Sequence, residues 1–178
     1  CVQEVMIIAA ALSIQDPRER PQDKKQAADE KHHRFSDKDS DFVAFIHLWN
    51  YIEEQQNALS VNQFRQLCHR EFLHYMRVRE WQDIYSQLKK SAQKSGLLTL
   101  SINHIEPHYF HVHTALLTGL LSHIGQKDME SHEFTGPRNI RFAIFPHSCL
   151  FKKPPKWIMV SELLETRRLW GHIAARIE

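Results

Sequence analysis

Three lysines, Lys152, Lys153 and Lys156, surround Pro154-Pro155 in the run Phe145-Pro146-His147-Ser148-Cys149-Leu150-Phe151-Lys152-Lys153-Pro154-Pro155-Lys156-Trp157. Proline fixes φ, so a loop built on two of them holds its charges within a narrow set of positions. An ammonium acts on phosphate as a point charge, and a guanidinium can grip the same anion with two parallel N–H donors. Arg138, Arg141 and Arg167 fall near turns and strand ends in the same part of the chain. His147 and Ser148 carry donors suited to a phosphate or a 2′-hydroxyl. These eight side chains form the candidate nucleic-acid-binding set, and a solvated basic turn is the competing reading. Phe145, Phe151 and Trp157 have rings that can stack on bases, but large aromatics of a small barrel are usually buried, so core positions are expected for them.

Other reactive residue types lead to no site. The chain has thirteen histidines, with His32-His33 adjacent and His108, His111 and His113 close together. On a helix His108 and His111 share a face while His113 points elsewhere. No C-x-x-C accompanies them, so structural or surface roles are expected and no metal site. Cys68 and His69 are neighbours, which do not face each other on a helix, and Cys68 lies on an apolar stripe as a small core residue. Ser148 lacks the G-x-S-x-G elbow, so no catalytic residue is assigned. There is no G-x-x-x-x-G-K-[ST] loop among the five glycines, which excludes nucleotide binding by that route. In Asp16-Pro17-Arg18-Glu19-Arg20-Pro21 the arginines are read as pairing with acids such as Asp29 or Asp41 in a rigid connector, with contact to RNA or to other domains as the alternative.

The elements that must position these residues divide in two. Val2 to Ser13 has helical spacing of apolar residues and is ended by Asp16-Pro17. Pro21 opens a charged helix over residues 22–34. Ser40 is the N-cap of an apolar helix through Ile52, and Ser60-Val61-Asn62-Gln63 has the pattern of a capping box. A long apolar stripe from Phe64 to Leu88 is broken near His74 and stopped by Gly96. A further helix covers Tyr109 to Ser122. After about Leu121 the pattern changes to short β-rich segments, residues 133–135, 140–145, 157–161 and 169–177, separated by Gly, Pro or charged turns. Residues 163–166 interrupt the last pair and read as helical. The expected class is α+β: an N-terminal helical bundle over residues 1–120, then a small antiparallel β-barrel over 121–178.

Composition agrees with a globular chain: 178 residues, 42% hydrophobic and 25% charged. A formal charge of +2 means that any nucleic-acid binding must come from local patches. The stretch Val5 to Leu12 is too short to span a bilayer. Three widely spaced cysteines, an odd number, suggest reduced thiols in the cytoplasm.

Several segments in order carry a resemblance: Ala9-Ala10-Ala11-Leu12-Ser13-Ile14-Gln15-Asp16-Pro17-Arg18-Glu19-Arg20-Pro21, Arg34-Phe35, Phe64-Arg65-Gln66-Leu67-Cys68, Arg79-Glu80-Trp81-Gln82-Asp83-Ile84, Leu116-Leu117-Thr118-Gly119-Leu120-Leu121-Ser122, Phe134-Thr135-Gly136, Arg138-Asn139 and Glu162-Leu163 with Glu165-Thr166. Across essentially the whole chain these resemble the C-terminal helicase-associated region of bacterial-type DEAH-box ATP-dependent RNA helicases. The resemblance implies a ratchet-like helical domain followed by an OB-fold, which binds oligonucleotides through a sheet face and flanking loops. It implies that the whole enzyme hydrolyses NTP, with ATP and Mg2+ bound in two RecA-like motor domains, and moves 3′ to 5′ along single-stranded RNA. Beginning at Cys1 with helix-forming residues, the chain reads as a fragment whose motor domains lie upstream, and alone it is expected to be inactive as an ATPase. Its expected partners are single-stranded RNA and those motor domains, with ribosomal or activator proteins as the alternative partners of a docking module, and no membrane.

Overall fold

The computed structural model describes residues 1–97 and 108–177. These gather into two compact units, one of residues 1–35 and 45–97, the other of residues 36–44 and 108–177.

The first unit is helical. Helix α1 (Val2–Leu12) buries Ile7, Ile8, Ala10 and Ala11, as its spacing requires. The charged segment divides into a single 3-10 turn, Gln22–Lys24, and α2 (Lys25–His33). Helix α3 (Asp41–Ala58) brings Phe45, Leu48, Trp49 and Ile52 into the core. Helix α4 (Val61–Arg70) starts with the expected reciprocal cap: Gln63 N–H donates to Ser60 Oγ, and Ser60 N–H donates to Gln63 Oε1 at 2.9 Å. The stripe then breaks where Phe72 takes φ +54, and His74 caps α5 (Tyr75–Lys94) by accepting Arg77 N–H on Nδ1. Gly96, at φ +69, supplies the left-handed residue after α5 that an L side chain would resist.

The connector at residues 16–20 is pinned to this break. His74 N–H donates to Pro17 C=O at 2.8 Å and Glu19 N–H to Phe72 C=O at 2.7 Å. Arg18 grips the Asp16 carboxylate and lies over the Phe45 ring, while Arg20 grips Asp29 with two donors. The arginines therefore pair as the sequence suggests, with Asp29 and not Asp41 as the distant acid. Buried Glu71 is paired with Arg34 and Lys31, and Trp81 donates Nε1–H to Ile7 C=O at 2.9 Å beneath the Trp49 ring.

The second unit holds α6 (Tyr109–Gly119), a 3-10 turn and five strands: β1 (Ile124–Lys127), β2 (Phe134–Thr135), β3 (Arg141–Ile144), β4 (Trp157–Glu165) and β5 (Leu169–Arg176). They close a barrel in the order β1-β2-β3-β5-β4, with β3 and β5 parallel and the other pairs antiparallel. A helical N-terminal part followed by a closed barrel is the α+β arrangement expected. Phe134, Phe142, Ile144, Leu150, Ile158, Val160 and Ala174 fill the barrel. Gly171 has to be glycine because Phe142 is so close: a Cβ there would stand 2.9 Å from that ring and 2.8 Å from Val160 Cγ1.

One expectation fails in β4. Residues 163–166 are not helical, since β4 runs unbroken through Glu165 and pairs Leu163 with Gly171 and Leu164 with Trp170. The cause is a change of parity. Val160 and Ala174 point inward as a pair, yet two residues along Glu162 and His172 lie on the outer face, and Leu163 returns to the core. The change occurs at Ser161 and Ile173, where Ile173 takes φ +53 and Ser161 Oγ donates to His172 C=O at 2.7 Å. With alternation broken there, Glu162-Leu163-Leu164-Glu165 loses its period of two and looks helical.

Candidate nucleic-acid interface

The long β3–β4 connection presents the charges. Leu150 enters the barrel core and anchors its middle, and Cys149 N–H donates to Asp41 Oδ1 at 2.9 Å. From there residues 151–156 run outside the barrel, and Lys152, Lys153 and Lys156 are all exposed. Among the described residues none of the three forms an ion pair, so their charge is available to an anion. Lys156 C=O accepts Lys127 N–H at 2.8 Å, which fixes the end of the loop against β1.

The remaining candidates stand elsewhere. His147 and Ser148 occupy the turn at the start of this connection. His147 lies exposed with its ring 5.3 Å from that of Phe145, and the Ser148 hydroxyl accepts Leu150 N–H at 3.2 Å. Arg138 is exposed in the β2–β3 turn at φ +58. Arg141, on β3, is held by Asp128 and Glu133, and those carboxylates offset its charge. Arg167 is exposed at the tip of the β4–β5 hairpin, where Thr166 N–H donates to Arg168 C=O at 3.0 Å. The fold thus brings the three lysines together in one loop and distributes the arginines over two hairpins.

The aromatic expectation needs correction. Phe151 and Trp157 are not core residues: they are 47% and 37% exposed. Trp157 begins β4, and since Ile158 and Val160 point inward its ring must point outward. Phe151 lies just beyond Leu150, which takes the core position instead. Phe145 is half-buried on the outer face with Trp170 and His172, ring centroids 5.9 and 5.0 Å away. Arg168 lies over Trp170 at 4.9 Å and pairs with Glu133 at 2.9 Å. This cluster escaped the sequence reading because Trp170 and His172 reach Phe145 only through the parallel β3–β5 pairing. The doublet Arg167-Arg168 was its one local signal.

Burial and the neighbouring Asp41 carboxylate push the Cys149 thiol well above the usual range, and burial raises that of Cys68 to about 11, which favours the neutral thiol at both. Among the described residues no three His, Cys, Asp or Glu side chains gather as a metal site.

Residues 112–178 match the family model described as an oligonucleotide/oligosaccharide-binding (OB)-fold, and residues 1–45 match the helicase associated domain (HA2), ratchet-like. All 178 residues align with the ATP-dependent RNA helicase HrpA of Escherichia coli (strain K12) at 64% identity. The chain thus carries a ratchet-like helicase-associated segment followed by an OB-fold. The HrpA homolog of Haemophilus influenzae (strain ATCC 51907 / DSM 11121 / KW20 / Rd) is 58% identical, again over the whole chain. The chain spans 14% and 13% of the lengths of these two relatives. As a helicase-associated region it has the strand order and the parallel β3–β5 pair of an OB barrel, and its lysine loop joins β3 to β4. No helix among the described residues is long and apolar enough to cross a membrane.

Proposed function

We propose that this region is an accessory part of an ATP-dependent, DEAH-box-type RNA helicase that moves 3′ to 5′, and that its barrel guides single-stranded RNA by contacts to the phosphate backbone. The observation that carries the reading is the set of three exposed, unpaired lysines on one proline-stiffened loop of an OB barrel. Point charges held outside the barrel neutralise phosphates without reading bases, so binding is tolerant of sequence and weakened by salt. Arg138, Arg167, His147 and Ser148 extend the same contacts, while Arg141 contributes less because its carboxylate partners already neutralise it.

In this reading the helical unit keeps the strand from slipping, and ATP and Mg2+ serve motor domains of the same polypeptide. The setting is the cytoplasm, which accords with the reduced thiols of Cys68 and Cys149. Docking of ribosomal or activator proteins is the weaker reading, since the five strands close into a barrel and the lysine loop offers charge suited to phosphate. The test is RNA affinity measured against salt for the parent chain and for a variant with all three lysines changed to alanine.

A further inference from the structure

Beside the lysine loop lies a groove whose walls come from α6 and from the end of the β4–β5 ladder. One wall is a face of α6 carrying Phe110, His113, Thr114 and Leu117, at the i, i+3, i+4 and i+7 positions that share one side of a helix. The other wall is the end of the β4–β5 ladder: Trp157, Arg176 and Ile177, with Ile177 N–H donating to Trp157 C=O at 3.1 Å. The cavity between them measures about 370 Å³, at the small end of the range that holds organic ligands.

We propose that this groove takes an unpaired nucleobase of the RNA strand, stacked against Trp157 and Phe110. The proposal rests on the reading of the lysine loop as a phosphate track and adds to it a contact that senses bases. Three observations carry it. Phe110 is 58% exposed and Trp157 37%, so two large rings stand partly in water at the edge of an open cavity. Trp157 has no aromatic partner among the described residues, whereas Phe145, Trp170 and His172 already fill one another's faces. Finally, Trp157 directly follows Lys156, so a strand held by its phosphates on the loop delivers a base to the ring beside it. Arg176 lines the same groove with its guanidinium 3.9 Å from Asp39, and places a planar cation where a base edge offers acceptors.

The test uses the whole 178-residue chain and two single strands of about 12 nucleotides, within the range bound by one OB barrel. One strand carries adenine throughout, and the other has the same phosphates and sugars but no bases. Affinities are measured for the parent, for Trp157→Leu, for Phe110→Leu and for the triple lysine-to-alanine variant, with melting curves to check each fold. The expected result is that the parent prefers the strand with bases by about ten-fold, the effect of one stacked base. Both leucine variants should lose that preference and keep the salt slope. Binding the two strands equally, or leucine variants that keep the preference, would overturn the proposal while the salt-dependent lysine track stands; that is also the result if a protein side chain is the true occupant. A parent chain that binds neither strand defeats the track and the groove together.

Discussion

Asp41 holds Ala174 by its backbone: Oδ2 accepts the Ala174 N–H at 2.8 Å, directly after Ile173 has turned to φ +53. A β-branched residue in the left-handed region is strained by about 1–3 kcal/mol and persists only when its surroundings enforce it. The enforcement is visible. The turn at Ile173 aims the next N–H at Asp41, Ser40 bridges to Ala175, and Arg176 N–H donates to Asp39 C=O at 2.9 Å. The other Asp41 oxygen takes Cys149 N–H, so a single carboxylate ties the parity change in β5 to the base of the lysine loop.

Replacing Asp41 by alanine removes both acceptors and leaves two N–H groups to be satisfied. Hydrogen bonds to a charged group contribute about 1.5–3 kcal/mol each, so losing both in Asp41→Ala should lower stability by about 3–6 kcal/mol in urea unfolding, and Asp41→Asn by less. An unchanged midpoint would mean that the clip does not hold the bend.

Gly171→Ala should cost about 1–3 kcal/mol, because its Cβ would collide with Phe142 and Val160 in a filled core. Pairing the substitution with Val160→Ala, which removes one of the two colliding groups, should recover part of the loss. Additive losses in the double variant would contradict the packing argument.

Histidine makes stability depend on pH. Burial holds the His113 pKa below its usual value, with Asp37 and Asp39 opposing that shift, and Nε2 lies 2.8 Å from Ser40 Oγ. His32 is lowered too, first by burial, with its Nε2 against the carbonyls of Glu71 and Phe72. The unfolded chain takes up these protons near the ordinary histidine pKa of about 6.5, and the folded chain only below it. Stability is therefore full above that pH and declines as pH falls from about 6.5 towards the lower folded values. The urea midpoint should drop between about pH 7 and pH 5.5. His113→Gln should reduce the drop, and a decline of the same size in that variant would remove His113 from the account.

Local signals were legible from residue types alone. Ser60 and Gln63 mark their cap, Gly96 its left-handed stop, and Arg20 finds Asp29, because each depends on residues no more than nine positions away. The lysine loop was legible for the same reason: charge and proline act where they stand. What escaped depended on distant pairing. The parity change at Ser161 is set by Ile173 and Asp41, which hid the second half of β4. The outward Trp157 and the groove it shares with Phe110 follow from strand register and the placement of α6, which no run of adjacent residues encodes.

The most direct test of the central claim is fluorescence anisotropy of a single-stranded RNA with this chain at several salt concentrations. If the loop and its neighbours neutralise three or four phosphates, log K falls with log salt at a slope of roughly −2 to −3. Changing Lys152, Lys153 and Lys156 together to alanine should flatten that slope and weaken binding for every RNA sequence alike. A slope and affinity unchanged by the three substitutions would contradict the account and place the RNA path away from this loop.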